Sequence, residues 1–193
     1  CSIVDSLSPF MATVPRPCAA APREDCPSKG LGGAKIALLR DSTDPAKNKL
    51  KFQIEDWFLD SSSSPPNYGN PTMDTGYQLC VYDGAGLALG ATVIGANQAK
   101  LDTAPWRRSG TNYKFREKTG TFDGITSASL TFIDNPFNPS WKIKLKGKGS
   151  NLPMPNLPLT ATTAVQPLTV QFMSLDAHGS CVSSGLSVID VNT

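Results

Sequence analysis

The sequence predicts an all-β fold, an antiparallel β-sandwich of jelly-roll-like type with an extended N-terminal arm. Short segments in which apolar and polar residues alternate recur along the chain, and turn residues separate them. Glycine and proline each occur 16 times in 193 residues, a usage typical of many short strands and turns. No convincing amphipathic helix interrupts this pattern, which therefore favours two packed sheets.

The segment YQLCVYD, residues 77–83, is the strand around which the domain is organised. Leu79 and Val81 alternate with polar and cysteine positions, and a glycine-containing turn follows at once. The clearest alternation occurs in residues 49–55 (KLKFQIE) and 141–148 (WKIKLKGK), where apolar residues take every second position. Further strands are predicted at residues 36–39, 87–96, 112–117, 125–133, 167–173 and 186–191. Residues 97–110 are expected to form a polar connection.

Residues 1–33 are predicted to form an extended arm and hinge, and residues 34–193 a single β-sandwich domain. Prolines exclude a long helix from the arm, and its apolar content is high for a disordered tail. Two interpretations remain open, a clasp packed on its own domain or an arm packed on a neighbouring subunit of a homo-oligomer, in the second case a polymer. The apolar side chains of the arm are Ile3, Val4, Leu7, Phe10, Met11 and Val14.

Five cysteines, a single histidine and no CxxC pair predict disulfides in an oxidising compartment, and hence a secreted, extracellular or cell-surface protein. A chain that begins at Cys1 without methionine also predicts removal of a leader. Spacing favours a short loop closed by Cys18 and Cys26. Strand placement favours a bond from Cys80 to Cys181, which closes about 100 residues and contributes ~4–5 kcal/mol in the chain-entropy model.

Cys1 is the cysteine left over by this pairing. It has three interpretations: a free thiol, a link to another subunit, or the lipidated N-terminus of a bacterial protein.

Several segments together resemble an uncharacterised all-β module of predicted secreted bacterial surface proteins. The segments are KIALLRDSTDPAKNKLKFQ, YQLCVYDG, YKFREKTGTFDGI, WKIKLKGKGSNLPMPNLPL and VQFMSLDAHGSCV, which cover most of residues 18–185. The resemblance implies an extracellular β-domain and supplies no catalytic residues. The apolar arm before Cys18 departs from the module.

The sequence predicts no enzyme, and no cofactor or metal site. His178, the single histidine, lies in a predicted turn, and no G-x-S-x-G elbow is present. Asp41, Asp44 and Asn48 offer oxygen ligands for calcium, but turn chemistry explains them better.

Binding sites have two candidates. Trp106 beside Arg107 and Arg108 is the best candidate contact for a sugar ligand. Lysines at residues 142, 144, 146 and 148 offer a site for an acidic polymer or phosphate. The alternative that we favour for these lysines is a solvated strand face that discourages edge pairing. The SSSSPP segment, residues 61–66, is a candidate for O-linked glycosylation.

The functional hypothesis from sequence is an extracellular structural protein, a subunit of a bacterial fibre or surface assembly joined through its N-terminal arm. The alternative is a secreted carbohydrate-binding module, and an enzyme ranks third. A net charge of +2 predicts no nucleic-acid partner. No apolar run has the length of a transmembrane segment.

Overall fold

Two β-sheets pack face to face in the computed structural model, which confirms the predicted all-β sandwich. The structure describes residues 18–31, 33–57, 68–93, 95, 105–135, 139–155, 168–175, 179–186 and 189–192. The only helix in these ranges is a 3-10 turn at Pro45–Lys47. The arm residues Ile3, Val4, Leu7, Phe10, Met11 and Val14, together with Cys1, lie outside the described residues.

The larger sheet has seven strands, and its central strand is the lysine-rich segment. In spatial order it contains β12 (Ile189–Asn192), β2 (Ala34–Leu39), β3 (Lys49–Trp57), β9 (Ser140–Lys148), β8 (Ile125–Ile133), β7 (Asn112–Arg116) and β6 (Trp106–Ser109). Every neighbouring pair is antiparallel except β12 and β2.

The smaller sheet has five strands. In spatial order it contains β1 (Ser28–Leu31), β11 (Cys181–Leu186), β10 (Leu168–Ser174), β4 (Tyr77–Asp83) and β5 (Gly86–Val93). β1 and β11 run parallel, and the other pairs are antiparallel.

One apolar core fills the space between the sheets because alternate residues of each strand point inward. Leu50, Phe52 and Ile54 of β3 are at most 3% exposed. From the other sheet, Tyr77 and Phe172 stack with ring centroids 5.4 Å apart. The lysines of β3 and β9 alternate with these core residues and therefore point away from the core, into solvent.

The outer face of the smaller sheet is covered by residues 18–27. Gln171 of β10 holds this segment with two hydrogen bonds: its Nε2 donates to the Arg23 carbonyl (2.7 Å), and its Oε1 accepts from the Arg23 N–H (2.9 Å). Farther along, the Ser183 N–H donates to the Pro27 carbonyl at 2.9 Å. Gln171 is 1% exposed beneath the segment, so its amide needs both of these bonds.

Disulfides fix both ends of the covering segment, and they correct the predicted pairing. Cys18 is bonded to Cys80 of β4, and Cys26 is bonded to Cys181 of β11. The expected Cys18–Cys26 and Cys80–Cys181 bonds are wrong because the segment crosses the sheet from β4 over β10 to β11. Its two cysteines therefore meet different strands. The four cysteines predicted to form disulfides all do so.

The structure also differs from the predicted boundary after residue 33. Residues 18–27 are bonded to the sandwich, and residues 28–31, assigned in part to a hinge, form an edge strand beside β11. Gly90 of β5 permits this arrangement, because a Cβ atom there would lie 2.9 Å from the Cys18 sulfur. The two disulfides fit a non-cytoplasmic compartment.

Candidate functional site

The outer face of the larger sheet is strongly basic. We call the outward side chains of β2, β3, β6, β7, β8 and β9 the basic face. Its exposed cations are Lys35, Lys49, Lys51, Arg107, Lys114, Arg116, Lys144, Lys146 and Lys148. Among the described residues, no carboxylate lies within salt-bridge distance of any of these side chains. Although the net charge of the whole chain is only +2, positive charge is concentrated on this one surface.

Two pairs of lysines lie directly opposite each other on β3 and β9. The register places Lys49 beside Lys148 and Lys51 beside Lys146. Directly opposite residues on one face of an antiparallel pair have Cβ atoms about 4.5–5.5 Å apart, and like charges there destabilise the sheet. β9 is the fourth of seven strands, so protection of a sheet edge does not explain its lysines.

Two carboxylates border this face among the described side chains, and each has partners of its own. Glu55 of β3 forms an ion pair with Lys142 of β9, directly across the strands. Glu117, just after β7, accepts hydrogen bonds from the Thr119 N–H (2.6 Å), the Thr119 hydroxyl and the Thr121 N–H (2.8 Å). Glu117 forms no ion pair with a described cation, and its one negative charge offsets only part of the positive charge around it.

The environment of Glu117 keeps its carboxyl ionised. Partial burial acts to raise the pKa, but the hydrogen bonds from Thr119 and Thr121 outweigh it and hold the pKa of Glu117 below its usual value. The loop around Glu117 is tight, and Gly124 in it has a φ of 71° that favours glycine.

A concave groove runs along β8 on the basic face. One wall carries Lys144 and Lys146 of β9, and the opposite wall carries Lys114 and Arg116 of β7 together with Arg107 of β6. The floor between them is formed by the hydroxyl-bearing residues of β8, Ser127 and Ser129. The Glu117 loop contributes further residues to the lining. The groove offers cations and hydroxyl groups to a ligand from four neighbouring strands.

Trp106 is not the ligand contact that the sequence predicted. It lies on β6 rather than in a polar connection, is 3% exposed, and packs against Tyr77 and Phe115 with centroid distances of 5.7 Å and 5.3 Å. Its neighbour Arg107 is exposed and lines the groove. Arg108 lies over the Tyr113 ring at 5.5 Å, and its Nε donates to the Gly110 carbonyl.

Turn chemistry accounts for the carboxylates that were considered as calcium ligands. Asp41 Oδ1 accepts from the Thr43 and Asp44 N–H groups, and Asn48 Oδ1 accepts from the Asp41 N–H. The hydrogen bond from the Thr43 hydroxyl is the main reason that the pKa of Asp41 is lowered. Within the described ranges, no cluster of three His, Cys, Asp or Glu side chains has the geometry of a metal site.

His178 and the SSSSPP segment, residues 61–66, lie outside the described residues. The predictions made for them stay predictions.

The sequence did not predict the groove because its two walls come from two separate strands, β7 and β9, on either side of β8. The sequence predicted the lysine face of β9 and the strand at residues 112–117 separately. Their alignment across β8 depends on strand register, which a local pattern does not contain. The signal available in the sequence was the excess of lysine on outward positions of three predicted strands.

Comparison with known proteins gives no relative for this chain: no family model, curated protein or solved structure matches it. Among the described residues, no helix is long and apolar enough to cross a membrane.

Proposed function

We propose that this β-sandwich binds anionic polymers through the basic face of its larger sheet. The observation that carries the proposal is the cross-strand pairing of Lys49 with Lys148 and of Lys51 with Lys146 on the solvent-exposed face of the larger sheet. Such pairs lower stability in the free domain. A bound polyanion forms favourable electrostatic contacts with the same lysines, which accounts for their position.

The distribution of carboxylates supports this proposal. Glu55 is paired with Lys142, and Glu117 forms no ion pair with a described cation, so its single negative charge leaves the groove with an excess of positive charge. The excess of positive charge favours acidic carbohydrates as ligands for the alternative function predicted from sequence, which is carbohydrate binding. Neutral sugars are usually held by stacked aromatic rings, and the outward register positions of β6–β9, which form the groove, hold no aromatic residue.

The test is binding of dextran sulfate, with neutral dextran as the ligand control, measured by calorimetry over a range of salt concentrations. Wild-type protein should bind only the sulfated polymer, with an affinity that falls steeply as salt rises. Lys51→Gln/Lys146→Gln should weaken binding about tenfold, since an exposed charge contact contributes up to about 1 kcal/mol.

A matched control is Met73→Glu/Leu87→Glu, which changes the net charge by the same amount. Both side chains are exposed, at 55% and 40%, and neither belongs to the larger sheet. Equal weakening by the control and by the lysine variant would contradict a localised site and would leave only a net-charge effect.

The second proposal is assembly: the chain as a subunit of a bacterial fibre or surface layer joined through residues 1–17. The edge of β5 supports it, because no described strand pairs with its outer side and Leu87 on it is 40% exposed. An extended segment added there gains backbone hydrogen bonds. Deletion of residues 1–17 should leave a folded monomer, and electron microscopy that still shows polymers would contradict the proposal.

A further inference from the structure

The groove along β8 repeats one arrangement of side chains. In the strand register, Ser127 lies between Lys146 on one side and Arg116 on the other. Two residues farther along, Ser129 lies between Lys144 and Lys114. Each row therefore places one hydroxyl between two cations. Successive rows are about 6.8 Å apart, because a strand rises about 3.4 Å per residue.

The third row ends the repeat. Thr131 lies between Lys142 and Asn112, and Lys142 is neutralised by Glu55. The unneutralised cations of the groove therefore occupy a short stretch along β8, with Arg107 extending the Lys114 row onto β6.

The hydroxyl groups of the floor are available to a ligand. Neither Ser127 nor Ser129 uses its side-chain oxygen in a hydrogen bond with the described part of the protein. Both are partly exposed. A hydroxyl donates one hydrogen bond and accepts two, so it matches the mixed donors and acceptors of a sugar ring.

The dimensions of the groove admit one polymer chain. β7 and β9 flank β8, and adjacent strands lie about 4.8 Å apart, so the backbones of the two walls are separated by about 10 Å. A single extended chain fits between the walls with its charged groups directed to both sides. A duplex does not.

The lining also distinguishes between single-chain polyanions. Surfaces that bind single-stranded nucleic acid combine positive charge with aromatic side chains on which the bases stack. Across the described residues that line the groove, the aromatic side chain is Phe115, which is 2% exposed and belongs to the core. The lining offers charge and hydroxyl groups but no stacking surface.

We infer that the groove binds one chain of a linear acidic polysaccharide, which runs along β8 with its anionic groups between the β9 wall and the β7 wall. This inference rests on the proposed function. Sulfate and carboxylate groups share the chemistry that the cations recognise, and both sources enter the test.

The experiment uses the full chain and three probes of matched charge: a sulfated dextran oligosaccharide, an oligogalacturonate and oligothymidylate. At least one acidic oligosaccharide should bind about tenfold or more tightly than oligothymidylate, because the latter finds no stacking partner. Tighter binding of oligothymidylate, or equal binding of all three, would overturn the inference.

Two pairs of variants locate the chain. Ser127→Ala/Ser129→Ala keeps the charge and should weaken oligosaccharide binding about five- to tenfold through lost hydrogen bonds. Ser150→Ala, in the exposed turn after β9, is its control. Lys114→Gln/Arg116→Gln should weaken binding more than Lys35→Gln/Lys47→Gln, which removes two exposed charges outside the groove.

The outcomes separate the two proposals. Failure of wild-type protein to bind any of the anionic probes contradicts the proposed function. Binding that is insensitive to the serine variants, or that responds equally to both pairs of charge variants, contradicts the groove inference and leaves the basic face as a diffuse polyanion surface.

Discussion

Lys51 of β3 and Lys146 of β9 face each other across the middle of the larger sheet, although a Glu–Lys pair, Glu55 with Lys142, occupies an equivalent outward position two rows away. The same two strands thus contain both a favourable and an unfavourable charge pair. In the free domain, the lysine pair costs stability.

The first prediction is that Lys51→Glu stabilises the domain while it weakens polyanion binding. A Glu opposite Lys146 replaces repulsion by attraction, so the free energy of unfolding should rise by about 0.5–1 kcal/mol. Urea denaturation at low salt measures the gain, which should shrink in 1 M NaCl because the Debye length falls to about 3 Å. Leu87→Glu should give no gain. A loss of stability in Lys51→Glu would show that the two ammonium groups do not repel.

The second prediction concerns the disulfides. Non-reducing peptide mapping should recover Cys18 joined to Cys80 and Cys26 joined to Cys181. Replacing either pair by alanine should lower the free energy of unfolding by ~4–5 kcal/mol in the chain-entropy model. The larger loss belongs to the Cys26–Cys181 pair, whose sequence separation of 155 exceeds the 62 of the other. A peptide that contains Cys18 bonded to Cys26 would contradict the structure.

The third prediction separates Trp106 from its neighbour Arg107. Trp106→Ala should lower the free energy of unfolding by about 3–5 kcal/mol, because it empties a core site. The milder Trp106→Phe should remain folded and bind dextran sulfate as the wild type does. Arg107→Gln should leave stability within about 0.5 kcal/mol and weaken binding. The reverse pattern, with binding lost in Trp106→Phe alone, would restore Trp106 as a ligand contact.

The fourth prediction concerns acid stability and Glu117. Since the pKa of Glu117 is lowered in the folded state, its contribution to stability is present above the unfolded pKa of about 4.3 and is lost as pH falls through the folded pKa. The difference in unfolding free energy between pH 7 and pH 3 should therefore be smaller in Glu117→Gln than in the wild type. Glu24→Gln, at an exposed position, is the control. An unchanged pH dependence in Glu117→Gln would contradict the hydrogen-bonded carboxylate.

Local patterns predicted the strands that are alternating and well bounded. The predicted strands at 77–83 and 125–133 agree with β4 and β8, and the lysine-rich segments agree with β3 and β9 within two residues. In these strands every second residue is buried in the core, so apolar and polar residues alternate and the period of two is visible in the sequence.

What the sequence could not supply depends on contacts between distant segments. β1, with the sequence SKGL, has no strand pattern of its own and is ordered by its parallel pairing with β11. β6 has four residues, too few for a period to appear around Trp106. The disulfide partners and the groove walls likewise follow from how strands are arranged, and sequence spacing does not report that arrangement.

The bond from Cys26 to Cys181 also determines how the domain responds to a pulling force. A stretching force applied to the chain before Cys18 and after Leu186 passes from Cys26 directly to Cys181 through covalent bonds. Residues 27–180, which contain β1 to β10, form a closed loop that cannot be pulled out to full length while this bond is intact, although the Cys18–Cys80 bond passes part of the force to β4. Under oxidising conditions the chain can therefore extend only at its two ends, while the strands that form the basic groove, β6 to β9, stay inside the closed loop. Reduction of this one bond would expose residues 81–180 to the force, while the Cys18–Cys80 bond would still close the loop that contains β1 to β3.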